Sequence, residues 1–488
     1  MNKYLRKSIH YFAGNLFNKI LLIAFLPIFT HFMVPAEYAV YTNFLIFISF
    51  ANLIYLMGMQ QSIISYFNAG PSLEYKYTLI SSMYILVFVA GVFFSPLILM
   101  NGKAITYLIV RDVGYKNLVP YIVVIIFAEC IYGLTLSILN MMERSANYAV
   151  LGSIKNLILL ILFLFGTFSN KFTVHTIFLF MMISASVASL LAIVNIIKIL
   201  KNIAEGSFQP KIFSFKILRP VLKFGLFMIP GTMAMLILRV MDRYMLTYLS
   251  ANGLHDAGIY ATGYRIGMIM QLLATIVSLV FFPYAMRIAD QPEAKKIYRK
   301  IYNYFIWLGS FLGILIILYS NEIFAIFIDS KYHEAINIVF VGVISVFLLG
   351  VFNILNIGFY IKKSAKNISI AVGFGAILNL VMNYFLIPKY GIMGAGIASI
   401  AAYLFIVSYN FIKVEKKINI GYNVNYLISS VVLLFALTYI NLQIPSGLKF
   451  TIYKTLFFVV FLFAALLILQ KNGKIEEFKI MYKNGMRK

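Results

Sequence analysis

The sequence predicts an all-α polytopic membrane protein with about fourteen transmembrane helices, and three observations support this fold class. Of its 488 residues, 62% are hydrophobic and only 12% are charged, which lies outside the composition of soluble globular proteins. Apolar stretches of about 18 to 25 residues recur along the whole chain, each long enough to cross a hydrocarbon core of roughly 30 Å as a helix. The alternation of apolar and polar residues expected of membrane strands is absent.

The apolar stretches divide the chain into two similar halves and a C-terminal pair of spans. Spans 1 to 6 are expected at 11–33, 41–63, 78–100, 118–140, 148–168 and 173–197; spans 7 to 12 at 221–249, 258–286, 301–320, 335–360, 366–387 and 392–412; and spans 13 and 14 at 421–441 and 448–469. We interpret the chain as an N-lobe (1–197), a basic cytoplasmic linker (198–220), a C-lobe (221–412), and a segment (413–488) with spans 13 and 14 and a basic tail.

The net charge of +25 is distributed unevenly between the loops. If the N-terminus is cytoplasmic, about 28 loop Lys and Arg residues lie inside and about 6 outside, as the positive-inside rule requires. We therefore predict that both termini are cytoplasmic. The basic balance reflects topology, and nucleic-acid binding is not expected because no soluble domain exists to carry it.

Short sequence similarity between the halves predicts an internal duplication. The stretch "VPAEYAVYTNFL" after span 1 resembles "LHDAGIYATGYR" after span 7, with Glu37 matching Asp256 and Tyr41 matching Tyr260 roughly 219 residues later. Both stretches join two long helices by a short external turn. Two pseudo-symmetric six-helix lobes with two appended helices are the simplest architecture.

The sequence offers no catalytic or metal-binding motif. Cys130 is the lone cysteine and the five histidines are scattered, so neither a disulfide framework nor a metal site is expected. The polar connections at 199–220 and 287–300 are too short to fold alone, and no Walker A, GxSxG, HExxH or dinucleotide-binding motif is present. We therefore do not expect an enzyme or an ATP-driven pump.

Three stretches resemble a known transporter family. "LPIFTHFMVPAEYAVYTNFL", "KFGLFMIPGTMAMLILRVMDRYMLTYL" followed by "AGIYATGYRIG", and "IPKYGIMGAGIASIAAYL" are similar to the polysaccharide transporter branch of the multidrug/oligosaccharidyl-lipid/polysaccharide exporter superfamily. The resemblance covers spans 1 to 12. It implies a flippase in the bacterial inner membrane that moves an undecaprenyl-pyrophosphate-linked oligosaccharide, such as an O-antigen or capsule repeat unit, to the outer face. Expected partners are that lipid, membrane lipids, and assembly proteins such as a polysaccharide polymerase.

Span 7 carries three charges in an otherwise apolar run, "LILRVMDRYMLTYL". Arg239, Asp242 and Arg243 are three and four residues apart, so we expect them on one helix face with a net positive charge. Arg239 lies about 24 Å along the helix from Lys223, deep enough for a charge to require a functional reason. An interfacial ion pair of Asp242 with Arg243 is the alternative interpretation.

A pyrophosphate cannot cross hydrocarbon unaided and requires a cationic, hydrated cavity. Arg265, seven residues inside span 8, falls at a depth similar to that of Arg239, and the two guanidinium groups can form a phosphate clamp. Arg243 and Lys19 are further candidates for binding pyrophosphate. Pairing of Arg265 with Asp242 is the structural alternative.

Glu129 is the deep carboxylate of the first lobe. Together with Asp242 it is our candidate for coupling to Na⁺ or H⁺, and neutralisation of Glu129 by Lys19 or Lys155 is the alternative. No other cofactor is expected. Pro230 and Pro283 are expected to kink spans 7 and 8 and to act as hinges.

Amide side chains inside the spans can bond neighbouring helices or contact sugar hydroxyls, and the sequence does not choose between these roles. The amides concerned are those of Asn52, Gln60, Gln61, Asn140, Asn156, Asn353, Asn356, Asn379 and Asn383.

Three other functions remain open. A cation-coupled multidrug exporter typically has an essential acidic residue in the core of the first lobe, and span 1 has none. A lipid II flippase is expected to carry several cavity arginines in that lobe, where spans 1 and 2 supply only Lys19. A non-transporting scaffold for polysaccharide synthesis would use its buried charges for structure alone.

Overall fold

A computed structural model describes residues 3–70, 72–169, 172–204, 211–362, 364–443 and 451–456. Every regular element among these residues is helical. The fold class predicted from hydropathy is therefore confirmed.

The first half of the chain, residues 3–204, holds eight α-helices. They are α1 (Lys3–Phe32), α2 (Pro35–Tyr55), α3 (Met59–Tyr66), α4 (Leu73–Met100), α5 (Gly102–Val110), α6 (Val119–Met141), α7 (Ser145–Phe168) and α8 (Val174–Ala204). A 3₁₀ turn, Val113–Leu118, precedes α6. We call this part the N-half.

The second half of the chain, residues 211–418, follows a similar order, and we call it the C-half. Its helices are α9 (Phe215–Leu249), α10 (Leu254–Gly267), α11 (Gln271–Ile276), α12 (Phe282–Arg287), α13 (Ala294–Leu318), α14 (Ser320–Phe327), α15 (Ile336–Ile361) and α16 (Ala365–Ile418). The last element is two helices joined at a kink, where Gly391 has φ of 51°. Helix α17 (Val424–Gln443) comes after it.

The helices lie where the apolar stretches predicted them. Within the described residues, ten helices are long and apolar enough to cross a membrane, and Leu16–Phe32 is a shorter apolar stretch. Most of span 14 and the whole basic tail fall outside the described residues, so fourteen spans stays a prediction. Much of the expected linker is helical, because α8 extends to Ala204 and α9 begins at Phe215.

The pattern of helix neighbours repeats between the halves. In the N-half α1 packs on α7, α2 and α4 pack on α6, and α6 packs on α8. In the C-half α9 packs on α16, α10 and α13 pack on α15, and α15 packs on α16. This repetition supports a duplication, although the lobe boundaries stay a prediction.

The structure shows a second repeat that hydropathy did not reveal. In each half a membrane helix is followed by a short helix, α5 or α14, and then by a 3₁₀ turn. Both turns begin after an aspartate, Asp112 or Asp329, whose carboxylate accepts a hydrogen bond from the main-chain nitrogen two residues later. Both continue to a tyrosine three residues on, Tyr115 or Tyr332.

The helices are interrupted at positions that differ from those expected. Span 2 breaks between α2 and α3, where Met57 and Gly58 have φ of 46° and 71°. Helix α9 continues through Pro230, so the kink and hinge expected there stay a prediction. In span 8 a π-helical turn, Val277–Phe281, ends just before Pro283, so the regular α-helical hydrogen bonding is interrupted beside this proline.

The two halves meet through equivalent helices. Helices α2 and α10, which begin at the repeated turns, pack directly against each other. A Cβ on Gly258 would lie 1.9 Å from the carbonyl oxygen of Pro35, so only glycine allows this approach. If the predicted pseudo-two-fold axis relates the halves, a helix that contacts its own repeat lies beside that axis. The space between α1, α2, α9 and α10 is therefore the centre of the molecule.

Candidate functional site

Two adjoining cavities lie between the halves. The first, which we call the amide cavity, has a volume of about 230 Å³ and is lined by α2, α3 and α9. The second, which we call the cationic cavity, has a volume of about 300 Å³ and is lined by α1, α2, α9, α10 and α11. Ser49 lines both cavities, so they form neighbouring parts of one central site.

All four residues expected to bind pyrophosphate line this central site. Lys19, Arg243 and Arg265 surround the cationic cavity. Arg239 lines the amide cavity and is exposed to it. The charges of Arg239 and Lys19 are close enough to repel each other. The structure thus collects cations from three helices around one small volume.

Arg265 is held by two tyrosines of the N-half. Its Nη1 donates a hydrogen bond of 2.9 Å to the Tyr38 hydroxyl, and its guanidinium also bonds the Tyr41 hydroxyl. The guanidinium lies 5.9 Å from the centre of the Phe29 ring. These partners fix the position of the Arg265 side chain at the wall of the cationic cavity.

Arg243 packs against the aromatic ring of Tyr264. Its guanidinium lies 5.4 Å from the centre of the Tyr264 ring, in cation–π contact. Its Nε is buried and has no hydrogen-bond partner among the described residues. An arginine with spare donors at a cavity wall can bind an anionic group.

Lys19 connects the N-half to the C-half. Its Nζ donates to the main-chain oxygen of Gln271, 3.3 Å away, and to the Thr275 hydroxyl. These acceptors are neutral, so neither of them pairs the ammonium group with a negative charge. The contact joins α1 to α11 along one side of the central site.

Asp242 faces away from the cavity, and the expectation that it shares one face with Arg239 and Arg243 is wrong. Adjacent residues of a helix point about 100° apart, so Asp242 and Arg243 can face different neighbours. Its carboxylate accepts hydrogen bonds from Tyr260 (2.9 Å), Asn379 (3.0 Å), Asn383 (2.7 Å) and the Ser399 hydroxyl.

The partners of Asp242 within the described residues are all neutral, so it forms neither of the ion pairs considered for it. Its side chain is only 2% exposed, inside the C-half. The Oδ1 atom of Asn383, beside it, is buried without a hydrogen-bond partner. The result is a buried carboxylate surrounded by hydroxyl and amide groups.

Glu129 is neutralised within the N-half. Its carboxylate forms an ion pair of 2.9 Å with Lys155 and accepts a hydrogen bond of 3.1 Å from Asn52. Of the two partners considered for it, Lys155 is therefore the one found. This leaves Asp242 as the deep carboxylate without a cation.

The intramembrane amides have different roles. Asn379 and Asn383 bind Asp242, Asn156 donates to Asn18, and Asn356 accepts from Asn410. In contrast, Asn52, Gln60 and Gln61 line the amide cavity.

Sequence reasoning missed the tyrosines that organise the charges. Tyr41 and Tyr260 are matching positions of the repeated turn, and they bond Arg265 and Asp242 respectively. The repeat was itself a signal, because a tyrosine kept in both halves has a role in each. Tyr38 and Ser399 gave no comparable signal.

The comparisons with known proteins agree with this architecture. Residues 4–289 match the sequence profile of the family described as polysaccharide biosynthesis protein. The chain belongs to this family. The match and the multi-pass helical fold support the resemblance to the polysaccharide transporter branch of the multidrug/oligosaccharidyl-lipid/polysaccharide exporter superfamily.

One relative of this chain is distant in sequence. An uncharacterized membrane protein of Methanocaldococcus jannaschii is 29% identical over 318 residues, which is 61% of this chain and 57% of that protein. The aligned region thus spans less than two thirds of that relative.

Two solved structures show the same fold. The lipid II flippase MurJ in an inward closed conformation superposes with a TM-score of 0.77 at 17% identity, covering 95% of this chain and 99% of MurJ. A MATE transporter of Vibrio cholerae gives a TM-score of 0.62 at 12% identity, covering 85% of this chain and 97% of that one.

Proposed function

We propose that this transporter is a flippase for an undecaprenyl-pyrophosphate-linked oligosaccharide. It moves the lipid from the cytoplasmic to the outer face of a bacterial inner membrane, as in O-antigen or capsule assembly. The observation that carries the proposal is the cationic cavity. Lys19, Arg243 and Arg265 surround it, and Arg239 adjoins it.

The chemistry of the substrate explains this arrangement. Pyrophosphate is the group of the lipid that hydrocarbon excludes most strongly, and arginine forks bind phosphate oxygens in pairs. Lys19 donates to a main-chain oxygen and a hydroxyl, so it can transfer these donors to the phosphate without breaking an ion pair. The isoprenoid tail can remain in the lipid throughout.

Charge also discriminates between the alternatives. A positive cavity repels the cationic compounds that a cation-coupled multidrug exporter would carry. A lipid II flippase shares the pyrophosphate group, so its substrate suits the same cations, and the fold similarity to MurJ is compatible with it. The family match favours a polysaccharide precursor over lipid II.

We place ion coupling at Asp242. A buried carboxylate with neutral partners alone is costly, and uptake of H⁺ or Na⁺ would remove that cost. Carboxylate, amide and hydroxyl oxygens are suitable ligands for a hard cation. Because Asp242 and the adjacent Arg243 lie on α9, occupation at Asp242 can change the position of α9 and hence of the cationic cavity.

Transport in proteoliposomes tests the proposal. The purified protein is reconstituted with a lipid-linked oligosaccharide in one leaflet, and its appearance in the other is followed by accessibility to a glycan-cleaving enzyme. Faster transfer than in protein-free vesicles is expected, and it should be lost in the Arg239→Ala and Arg265→Ala variants. Unchanged transfer by both variants at equal protein level would refute the clamp. A scaffold would give no transfer with the wild type.

A further inference from the structure

The amide cavity differs in chemistry from the cationic cavity beside it. Its polar side chains are neutral, apart from Arg239 at its edge. We propose that the amide cavity binds the uncharged sugar attached directly to the pyrophosphate, through hydrogen bonds to its hydroxyl or acylamido groups. This inference rests on the proposed function and assigns the sugar-binding part of the same site.

Two glutamines supply the hydrogen-bonding groups. Gln60 and Gln61 line the cavity and are partly exposed. Their side-chain amides have no hydrogen-bond partner among the described residues. An amide carries two donor hydrogens and an acceptor oxygen, a set that matches sugar hydroxyls and acetamido groups. Gly133 on α6 leaves the space for Gln60, because a Cβ there would lie 2.5 Å from its Nε2 atom.

The cavity wall is one continuous face of span 2. Ser49, Asn52 and Leu53 follow helical spacing on α2, and Leu56 and Gln60 line the same cavity beyond the end of that helix. Asn52 is oriented by the Glu129–Lys155 ion pair, to which it donates through its amide nitrogen. The second wall is α9, which contributes Thr232, Met235, Leu236 and Arg239.

The break in span 2 brings this wall close to α9. A Cβ on Gly225 would lie 2.5 Å from the main-chain oxygen of Met57, and a Cβ on Gly58 would lie 2.2 Å from that of Gly225. Ser62 also donates a hydrogen bond of 2.8 Å to the main-chain oxygen of Val221. These contacts fix the position of Gln60 and Gln61 relative to Arg239.

The size and charge of the cavity limit its ligand. Its volume of about 230 Å³ is below the roughly 300–1,000 Å³ of pockets for drug-sized ligands, so it admits a single sugar rather than the whole oligosaccharide. With Glu129 neutralised by Lys155, the cavity has no free carboxylate to select a cationic sugar. Ser49 joins it to the cationic cavity, which matches the covalent link between sugar and pyrophosphate.

Binding of two lipids to the purified full-length protein tests this assignment. The probes are undecaprenyl pyrophosphate, and the same lipid carrying one N-acetylhexosamine. The Gln60→Met/Gln61→Met variant keeps side-chain length and loses hydrogen bonds. It should bind the sugar-bearing lipid about tenfold more weakly, as expected for two neutral hydrogen bonds, and the sugar-free lipid as tightly as wild type. Gln443→Met, on an exposed end of α17, is the matched control.

The outcomes separate this inference from the proposed function. Equal weakening for both lipids, or no weakening for either, would overturn the sugar subsite and leave the flippase proposal intact. Failure of the wild type to bind either lipid would overturn both. Arg239→Ala should weaken both lipids, because it removes a contact with the shared pyrophosphate.

Discussion

Arg265 of α10 donates a hydrogen bond to the Tyr38 hydroxyl of α2 across 2.9 Å, which joins the two halves at the cationic cavity. The bond positions a cation without neutralising it. Helix packing and the charge of the site therefore depend on the same residue, and substitutions can separate the two roles.

Arg265→Ala should abolish transport, and Arg265→Lys should retain part of it, because lysine keeps the charge and loses the fork. Losing a charge-assisted hydrogen bond costs about 1.5–3 kcal/mol, so affinity for the sugar-free pyrophosphate lipid should fall roughly 10- to 150-fold in the alanine variant. Tyr38→Phe keeps the charge and the ring, and should bind nearly as wild type. Loss of membrane abundance in parallel with activity would instead indicate a structural role.

Asp242→Asn should remove the dependence of transport on the H⁺ or Na⁺ gradient. The amide keeps the shape of the side chain and can accept from Asn379 and Asn383, but it cannot take up a coupling ion. Transport is measured in vesicles with imposed pH or sodium gradients. Glu129→Gln is the comparison, since Glu129 is already neutralised by Lys155. A variant at Asp242 that still responds to the gradient would rule out this coupling site.

Topology can be tested by cysteine labelling in a Cys130→Ser background. Ala251, exposed in the turn between α9 and α10, should react with an impermeant reagent from outside when replaced by Cys. Ser72, exposed before α4, should react as Cys only after permeabilisation. The reverse labelling pattern would invert the predicted orientation.

Gly225→Ala should destabilise the protein, because its new Cβ would overlap the main-chain oxygen of Met57. Overpacking of this kind typically costs about 1–3 kcal/mol. Thermal unfolding in detergent measures the effect. Gly373→Ala is the matched control, since nothing lies within 4 Å of its new Cβ and alanine favours the helix. Equal melting temperatures for the two variants would contradict the close contact of α3 with α9.

Cross-linking can test whether the two halves must separate from each other, at the predicted external end, during transport. There Lys331 donates a hydrogen bond of 3.1 Å to the main-chain oxygen of His31, Tyr332 donates one of 2.9 Å to that of Met33, and Asp329 lies 3.9 Å from His31. A short thiol-reactive cross-linker between His31→Cys and Asp329→Cys should block transport but preserve lipid binding. Each single variant, treated alike, should transport normally. Full activity after complete cross-linking would show that this contact does not open.

Hydropathy predicted the positions of the helices well because bilayer thickness sets their length. The cations of the central site were also predictable, since Arg239 and Arg265 are costly in an apolar helix unless they serve a function. The environment of Asp242 was not predictable, because its direction depends on how α9 packs against α16. The break at Met57 and Gly58 was missed because glycine is common in transmembrane helices and does not itself indicate an interruption.

The contact between α2 and α10 has a consequence for the origin of the molecule. A surface that meets its own equivalent is isologous, which is how two identical subunits associate around a two-fold axis. A six-helix ancestor that formed homodimers through this surface would already have enclosed a central site. Gene fusion would then have allowed the two copies to diverge in their buried acids. The buried carboxylates now lie on helices that are not equivalent, Glu129 on α6 beside Lys155 and Asp242 on α9 among neutral partners, so each acid belongs to one copy alone.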